Sequence, residues 1–452
     1  MTSTPTEAST VLGIAFGNST TQIAYISRAH VPECIANEDG DRQIPSILSY
    51  SEGEEYHGGQ AKSQLVRNSA NTIILFRDWL GQKSLLPSKT LSLNPCDTDS
   101  SRFSGIDIER AKYSAKPHVT DSGDVAFNIT TLVPKLRTAP PTPSASGTST
   151  PLPRTGTSTP LPPPSPDDDT EPEYEQHTQS LSVTQIITAH LTRIKQSAQH
   201  FLGHPPQGAV YTVPTNFSTA QREDLKLASQ SAGIPCLQII HEPTAALLAY
   251  NSLFVSPPTT ILQDKKILVL DVGGVRLDAT IIAVRAGMYT ILSTAHAHGF
   301  TPGEDLDRVL YEHLRGEWKK KVKLDTESDV RARWKLVLEA ESVKKTLSAS
   351  ASANVSVESL MDGLDFKSSI NRVRFDMLAR KIYQRIAEFA LEAVKKATLE
   401  PIDIDEVSSL SFCGFACLRL GVIGRRNISV TETRVNIAIL VPGTNRRFTD
   451  NV

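Results

Sequence analysis

Two similar stretches decide the fold of this chain, Gly13-Ile14-Ala15-Phe16-Gly17-Asn18-Ser19 and Leu270-Asp271-Val272-Gly273-Gly274-Val275-Arg276. Each follows one apolar run and precedes another, which predicts a β-hairpin with backbone N–H groups exposed at its tip. A tip of this kind can hold phosphate oxygens. One such hairpin is usually an ordinary turn, but two that match predict a duplicated α/β fold that clamps a nucleotide between its halves.

The two stretches differ in one carboxylate. Asp271 stands where the strand of the second stretch meets its turn, and Ala15 stands at the corresponding place in the first. A magnesium-bound triphosphate favours carboxylates near its water shell, because Mg²⁺ prefers hard oxygen ligands. The sequence therefore predicts a nucleotide site whose catalytic groups are incomplete.

Composition narrows the class of protein. With 452 residues, of which 39% are hydrophobic and 21% charged, the chain can form two or more globular cores. The formal net charge of −2 gives no reason to expect nucleic acid or an acidic membrane as a partner. The five cysteines are scattered and odd in number, which favours reduced thiols. Cys413 and Cys417 lack a second pair at zinc-ligand spacing.

Two segments differ from the rest in composition. The first ten residues lack the features of a signal peptide, and no later segment has the roughly 18 apolar residues of a membrane span. We therefore expect a cytoplasmic protein with no membrane partner and a disordered N terminus over residues 1–10. Residues 138–172 are rich in Pro, Ser and Thr and are predicted to be an unstructured insertion. A linker between domains is the alternative interpretation.

Helix and strand patterns alternate between the two hairpins. Apolar residues recur on one helical face after residue 181, and a strand pattern follows over residues 209–213. Ser218, three residues before Gln221, predicts a capping box at the start of the next helix. A further helix is predicted to begin at Pro243. This order is typical of an α/β fold.

A later helix, predicted over residues 331–348, has one polar face. Its apolar residues form a buried stripe, and the opposite side carries Glu341, Lys344, Lys345 and Ser348 at i, i+3, i+4 and i+7. On spacing alone, the usual interpretation is a solvated helix surface with internal ion pairs.

An ordered set of motifs resembles the nucleotide-binding domain of the heat-shock protein 70 family, which has the actin-like ATPase fold. The set covers residues 11–414, apart from the proline-rich insertion. The matching elements begin with the two hairpin stretches and continue with Ile44-Pro45-Ser46, Asn71-Thr72-Ile73, Val213-Pro214 with Phe217, Glu242-Pro243-Thr244-Ala245-Ala246, Gly303-Glu304-Asp305, Lys344-Lys345-Thr346-Leu347-Ser348 and Phe375. The resemblance implies two related lobes around a nucleotide cleft, a first over residues 11–250 and a second, incomplete one over residues 260–414.

The resemblance also implies ATP as the ligand, with Mg²⁺ possible, and assigns no residue as a protein ligand of a metal. It implies that the phosphates are held by Gly17, Asn18, Ser19, Gly273 and Gly274. It implies a loop near the nucleotide at Gly303, and adenosine contacts from Glu341, Lys344, Lys345, Ser348 and Gly414. The resemblance thus implies that the polar face of the helix is a binding face. The hairpins would hold the phosphate end of one ATP molecule, and the helix would hold its adenosine end.

The departures from the family concern hydrolysis. The catalytic lysine of the family falls on Arg77, its threonine at the γ-phosphate on Asn18, and the aspartate of the first hairpin on Ala15, while Glu242 and Asp271 are kept. The planar guanidinium of Arg77 cannot take the same place as a compact ammonium. Each such loss commonly lowers the rate by about 10²–10³. We therefore expect ATP binding with weak or absent hydrolysis.

One branch of the family is especially similar, the atypical fungal Ssz branch of the ribosome-associated complex. The similarity lies in Gly17-Asn18, Asn71-Thr72-Ile73-Ile74, Phe76-Arg77-Asp78 and Val213-Pro214-Thr215-Asn216-Phe217-Ser218. It implies a chaperone subunit that binds ATP without needing hydrolysis. It also implies a J-domain partner of the zuotin kind and an indirect action on ribosomes and nascent chains.

The match ends near residue 414. Residues 415–452 form a basic tail that does not resemble the family, and the closing elements of the second lobe are missing or replaced. One hypothesis is a reading frame or splice junction that differs from the ancestral gene. The alternative is a functional tail that contacts ribosomal RNA, although it lacks a recognisable nucleic-acid-binding motif.

The sequence leaves two other functions open. A conventional ATP-hydrolysing chaperone of the same family is the first, and a small-molecule kinase of the same fold, with Asp271 as its catalytic aspartate, is the second. His296 and His298 could suggest a metal site, but two histidines on alternate strand positions without further ligands are usually structural.

Overall fold

The computed structural model describes residues 10–29, 31–51, 53–82, 114–134, 174–254, 264–297 and 299–411, with side chains except at 132–134, 174–175, 250–254 and 409–411. Residues 1–9 of the predicted disordered N terminus, the predicted insertion 138–172, His298, Gly414 and the predicted tail 415–452 lie outside these ranges.

Eighteen strands are found within those ranges. In chain order they are β1 (Val11–Phe16), β2 (Thr20–Ile26), β3 (Pro32–Ile35), β4 (Ile44–Pro45), β5 (Ile47–Ser51), β6 (Glu54–His57), β7 (Thr72–Ile74), β8 (Pro117–Val119), β9 (Val125–Pro134), β10 (Tyr174–Ser182), β11 (Gly208–Val213), β12 (Cys236–His241), β13 (Lys265–Val272), β14 (Leu277–Arg285), β15 (Met288–His296), β16 (Ser352–Met361), β17 (Leu364–Asn371) and β18 (Glu406–Ser411).

Seven α-helices lie between these strands in the same part of the chain. They are α1 (Gly58–Gln64), α2 (Val183–Leu202), α3 (Thr219–Ser231), α4 (Glu242–Phe254), α5 (Pro302–Val322), α6 (Val330–Ala349) and α7 (Arg372–Lys396). Short 3₁₀ turns occur at Ser69–Asn71, Arg77–Trp79, Thr326–Ser328 and Pro401–Asp403.

Both predicted hairpins are present, and each belongs to a sheet of the same plan. In the first sheet β1, β2 and β3 form an antiparallel meander, and β11 pairs parallel with the other edge of β1. In the second sheet β13, β14 and β15 form the meander, and β18 pairs parallel with β13. The shared topology confirms the duplication that the two glycine stretches predict.

Each of the two sheets packs against helices in a separate core. The first core joins β1 and β11 to α2, whose Ile186, Ile187 and Leu191 are fully buried because they share one face of the helix. The second core joins β13 and β14 to α5, α6 and α7 around the fully buried Trp318. The helices therefore pack against the faces of the central strands of both sheets. The carboxyl ends of these strands are the edge at which a site can form.

Local signals in the sequence set the helix ends. Ser218 accepts from the Gln221 backbone N–H, and the Gln221 side chain accepts from the Ser218 N–H, so the predicted capping box begins α3. Ser182 and Gln185 make the same pair at α2. Among the described residues, no helix is both long and apolar enough to span a bilayer.

Candidate nucleotide site

The tips of the two hairpins lie against each other at the base of a cleft. The Gly17 N–H donates to Thr20 O at 3.1 Å, and the Gly273 N–H donates to Arg276 O at 2.9 Å, so both tips are tight turns. A Cβ on Gly274 would clash with Ser19 Oγ of the other tip. The two turns therefore approach closely at Gly274, and a side chain there would require Ser19 Oγ to move.

The cleft above the tips has a volume of about 1050 Å³ and is lined by both halves of the molecule. A smaller cavity of about 80 Å³ continues below it between the tips. The structure therefore brings together most of the predicted site residues. The cleft contains Asn18, Ser19, Gly274, Glu341, Lys344, Lys345 and Ser348, and the small cavity contains Gly17, Arg77, Glu242, Asp271 and Gly273.

The polar face of α6 forms one wall of the cleft. The buried Lys344 Nζ lies 2.7 Å from Asp307 Oδ1 and donates to Gly303 O at 3.1 Å. Lys345 Nζ lies 3.0 Å from Glu341 Oε1 and is exposed. Lys344 therefore holds the helix to α5, while Glu341 and Lys345 face the opening.

An ion pair joins the two halves across the cleft. Lys62 Nζ of α1 donates to Glu341 Oε1 at 2.6 Å, and both side chains are 24% exposed. Burial alone would raise the pKa of Glu341, but the ammonium groups of Lys62 and Lys345 outweigh burial and hold this pKa well below its usual range. Glu341 is therefore ionised, and its carboxylate is the ion-pair partner of both Lys62 and Lys345.

Gly303 does not lie in a loop, contrary to the expectation from the resemblance. It lies in the first turn of α5, which begins at Pro302 and carries Glu304 and Asp305 in that turn. Proline at the first helical position and acidic residues next to it favour a helix start. The Gly303 N–H donates to Gly273 O at 3.2 Å, so this turn supports the second hairpin tip.

Three carboxylates meet beneath the tips. Glu242, Asp271 and Asp278 place carboxylate oxygens within 4.8 Å of one another and could hold a metal ion. Burial raises the pKa of Glu242 to about 7, and burial together with the Glu242 carboxylate raises the pKa of Asp271. Burial alone would raise the pKa of Asp278, but the Arg276 guanidinium and the His296 hydrogen bond lower it. Asp278 is the most strongly ionised of the three.

Arg77 is fixed in place by three groups. It is 3% exposed, its NH1 donates to Phe16 O at 3.0 Å, and its Nε donates to Asp78 Oδ1 at 2.9 Å. The same NH1 lies 3.5 Å from Glu242 Oε1. Because its hydrogen bonds go to the protein on several sides, the guanidinium is held in one orientation.

Arg276 crosses from the second hairpin to the first half. Its NH1 lies 3.4 Å from Asp78 Oδ2, and its NH2 donates to Asn216 Oδ1 at 2.7 Å. Its Nε lies 3.4 Å from Asp278 Oδ2, whose other oxygen lies 2.7 Å from His296 Nδ1. Burial alone would lower the pKa of Arg276, but the Asp78 and Asp278 carboxylates raise it, so the residue is always charged.

Sequence reasoning did not select several site residues. Asp278 was detectable, because it is a charged residue inside the apolar run of β14 after the second turn. Trp334 lines the cleft and packs with Leu75 and Val275 in an apolar cluster across the two halves. Nothing in its spacing separates it from ordinary core residues. Lys62 and Asp307 are identified as site residues by their ion pairs with Glu341 and Lys344 of α6, which the structure shows and the sequence does not.

Two duplicated sheets with their glycine tips around a polar cleft define a nucleotide-binding domain of the actin-like ATPase fold. The family model described as Hsp70 protein matches residues 11–95 and 164–410. The chain belongs to the Hsp70 family.

Individual relatives agree with this assignment. Ribosome-associated complex subunit SSZ1 of Saccharomyces cerevisiae is 36% identical over 400 residues, covering 88% of this chain and 62% of that protein. Heat shock protein 70 homolog C57A7.12 of Schizosaccharomyces pombe is 36% identical over 407 residues, covering 89% and 60%. A ribosome-associated molecular chaperone of Saccharomyces cerevisiae is 29% identical over 396 residues, covering 88% and 54%. The chain thus spans less than two thirds of the length of these relatives.

Proposed function

We propose that this chain is an Hsp70-like chaperone subunit that binds ATP, hydrolyses it slowly or not at all, and acts with a J-domain partner on ribosomes during nascent-chain folding. The observation that carries the proposal is the position of Arg77. It lies beneath the tips with its guanidinium bonded to the protein, where the family resemblance implies a catalytic lysine.

The residues of the cleft fit ATP. Asn18, Ser19 and Gly274 of the tips line the cleft, and we expect their backbone N–H groups to bind the phosphates. The α6 face offers Glu341 and Lys345 for the adenosine end. Bound Mg²⁺ would neutralise phosphate charge, and Asp271 and Asp278 are the carboxylates available to its water shell.

The same site is poorly equipped to cleave ATP. Phosphoryl transfer depends on positioned charge, and a group that contributes must reach the transferring phosphate. Arg77 is bonded to Phe16 O and Asp78, and Arg276 is bonded to Asp78 and Asn216, so both cations are already engaged. Ala15 adds no carboxylate on the first tip. These contacts support binding without turnover.

The proposal for partners rests on the relatives. Two of them are named as ribosome-associated proteins, and one of these as a subunit of the ribosome-associated complex. The J-domain partner follows from the resemblance to the Ssz branch. In such a pair the ATP-bound subunit serves as a scaffold for the J-domain partner. The partner needs its ATP-bound conformation and does not need ATP hydrolysis.

One observation favours a second function, a conventional ATP-hydrolysing chaperone. Glu242 has its pKa raised to about 7, which suits a general base at neutral pH. If Glu242 activates water, then Glu242→Gln will abolish phosphate release from purified protein. Glu339→Gln, an isosteric change on α6 away from the cleft, is the matched control.

Thermal shift with nucleotide and co-sedimentation with ribosomes test the proposed function. We expect the purified chain to melt at higher temperature with ATP, and to sediment with ribosomes when a zuotin-like J-protein is added. No shift with ATP contradicts the nucleotide part of the proposal. A shift with ATP but no ribosome binding with the J-protein contradicts the partner part alone.

A further inference from the structure

A chain of hydrogen bonds leads from the start of α1 to the first hairpin tip. His57 Nε2 lies 2.8 Å from His190 Nδ1, and His190 Nε2 lies 2.9 Å from Thr21 Oγ1. Thr21 Oγ1 lies 2.9 Å from Ser46 Oγ, which donates to Gly17 O at 2.8 Å. Residues far apart in the chain thus form one continuous path that ends at the tip.

The direction of every bond in this path follows from its last member. Ser46 Oγ uses its only proton on Gly17 O, so Thr21 must donate to Ser46. Thr21 has then used its own proton and must accept from His190 Nε2–H. His190 Nδ1 is consequently the acceptor, and His57 donates from Nε2. When both histidines are neutral, this pattern places the proton of each ring on Nε2, because a neutral ring with its proton on Nδ1 would leave two donors or two acceptors facing each other.

The path is buried along most of its length. His190 and Thr21 are fully buried and Ser46 is 1% exposed. The His190 ring packs against the rings of Phe16 and Phe76, with centroids 5.7 and 5.5 Å away. A missing partner here would leave a buried polar group unsatisfied, so the path acts as a unit.

The path fixes two peptide planes at the tip. Ser46 Oγ holds the Gly17 carbonyl, and the Ser46 N–H donates to Ser19 O at 3.0 Å. In a planar trans peptide the carbonyl oxygen and the next N–H point in opposite directions. Holding Gly17 O toward Ser46 therefore aims the Asn18 N–H away from Ser46. Holding Ser19 O does the same for the Thr20 N–H.

We propose that His190 is a positioning residue of the nucleotide site, acting through Thr21 and Ser46 to aim the N–H groups of the first tip at the nucleotide phosphates. This inference rests on the proposed ATP binding. The second tip is supported differently, by the Gly303 N–H on Gly273 O. The two tips are thus held by separate groups of the two halves.

Charged groups also face the outer end of the path. Arg193 of α2 and Asp39, in the turn before β4, face His57, and His57 in turn faces His190. Burial, followed by the Arg193 charge, lowers the pKa of His57 to about 4, and burial, followed by His57, lowers the pKa of His190 well below its usual value. Both rings therefore stay neutral at physiological pH, and the bond directions then place each ring proton on Nε2.

The test compares two substitutions of His190 in the full chain by their dissociation constants for ATP. His190→Leu fills the core but donates nothing to Thr21, and we expect ATP affinity to fall about tenfold. His190→Gln can present an amide N–H near the Nε2 position, and we expect most of that loss to be recovered. Ile194→Ala, a buried change on the same helix outside the path, should lower stability and leave ATP affinity unchanged.

A second measurement needs no variant. The ¹⁵N chemical shifts of both histidine rings should report neutral rings with the proton on Nε2. Another tautomer for either ring, or wild-type affinity in His190→Leu, would overturn the inference. Failure of the wild-type chain to bind ATP at all would instead contradict the proposed function on which it rests.

Discussion

The Arg276 guanidinium of the second hairpin lies 3.4 Å from the carboxylate of Asp78, which lies in the 3₁₀ turn after β7. This ion pair connects the two halves of the molecule at the base of the cleft. The Asp78 carboxylate also accepts a hydrogen bond from Arg77 Nε at 2.9 Å. Burial alone would raise the pKa of Asp78, but the Arg77 and Arg276 guanidinium groups lower it, so the pair is ionic at neutral pH.

Arg276→Thr should loosen this connection. The substitution leaves the Asp78 and Asp278 carboxylates without their shared cation, and removing one partner of a largely buried pair is destabilising. We expect the free energy of unfolding to fall by about 2 kcal/mol. Thermal or urea unfolding without nucleotide measures the change. Arg285→Thr, at the exposed end of β14, is the control. Equal stability of the two variants would show that the pair contributes nothing.

Restoring the family pattern should restore hydrolysis. The triple variant Ala15→Asp/Asn18→Thr/Arg77→Lys returns a carboxylate, a hydroxyl and a compact ammonium to the site. We expect its single-turnover rate to exceed that of the wild type by about 10². Arg77→Lys alone should gain little, because phosphoryl transfer needs the groups together. A triple variant that binds ATP yet cleaves no faster would show that these positions do not limit turnover.

Glu341→Gln should weaken nucleotide binding. The change removes the carboxylate that pairs with Lys62 across the cleft at 2.6 Å and with Lys345 at 3.0 Å. We expect the affinity for ATP to fall about tenfold, because two cations lose their partner beside the proposed adenosine contacts. Calorimetric titration measures it, with Glu339→Gln as the control. Unchanged affinity in Glu341→Gln would remove Glu341 from the proposed site.

Mild acid should destabilise the chain through His57. Its pKa is about 4 in the folded protein and about 6.5 in an unfolded chain, so the unfolded state binds the proton first as pH falls. The stabilising contribution is complete above pH 6.5 and is lost between pH 6.5 and 4. We expect a loss of about 2 kcal/mol between pH 7 and pH 5.

Urea unfolding at the two pH values measures this loss. His57→Gln/His190→Leu removes both rings, so its stability should change less over the same interval. If the wild type and the double variant lose stability equally, other groups are responsible for the pH dependence.

The sequence predicted the fold through its repeated pattern. Two glycine turns between apolar runs predicted the duplicated α/β fold, because the period of a strand and the geometry of a tight turn are local properties, while the actin-like ATPase fold was implied by the family resemblance. The resemblance added the face of α6, and the structure brings that face to the cleft with both hairpin tips.

Long-range contacts could not be predicted in the same way. Lys62 and Glu341 are paired although a long stretch of chain separates them, and neither residue carries a local sign of its partner. His190 could have been noticed, because it lies on the apolar face of α2 that Ile186 and Ile187 define. Its path to Gly17 depends on three further segments, and no spacing in the sequence reveals it.

Single-turnover hydrolysis tests the central claim most directly. Purified chain, loaded with ATP labelled at the γ-phosphate and freed of excess nucleotide, is followed until the label is released or the ATP dissociates. We expect the bound nucleotide to be recovered as ATP. Release of labelled phosphate at the rate of a conventional ATP-hydrolysing Hsp70, measured in parallel, would contradict the account.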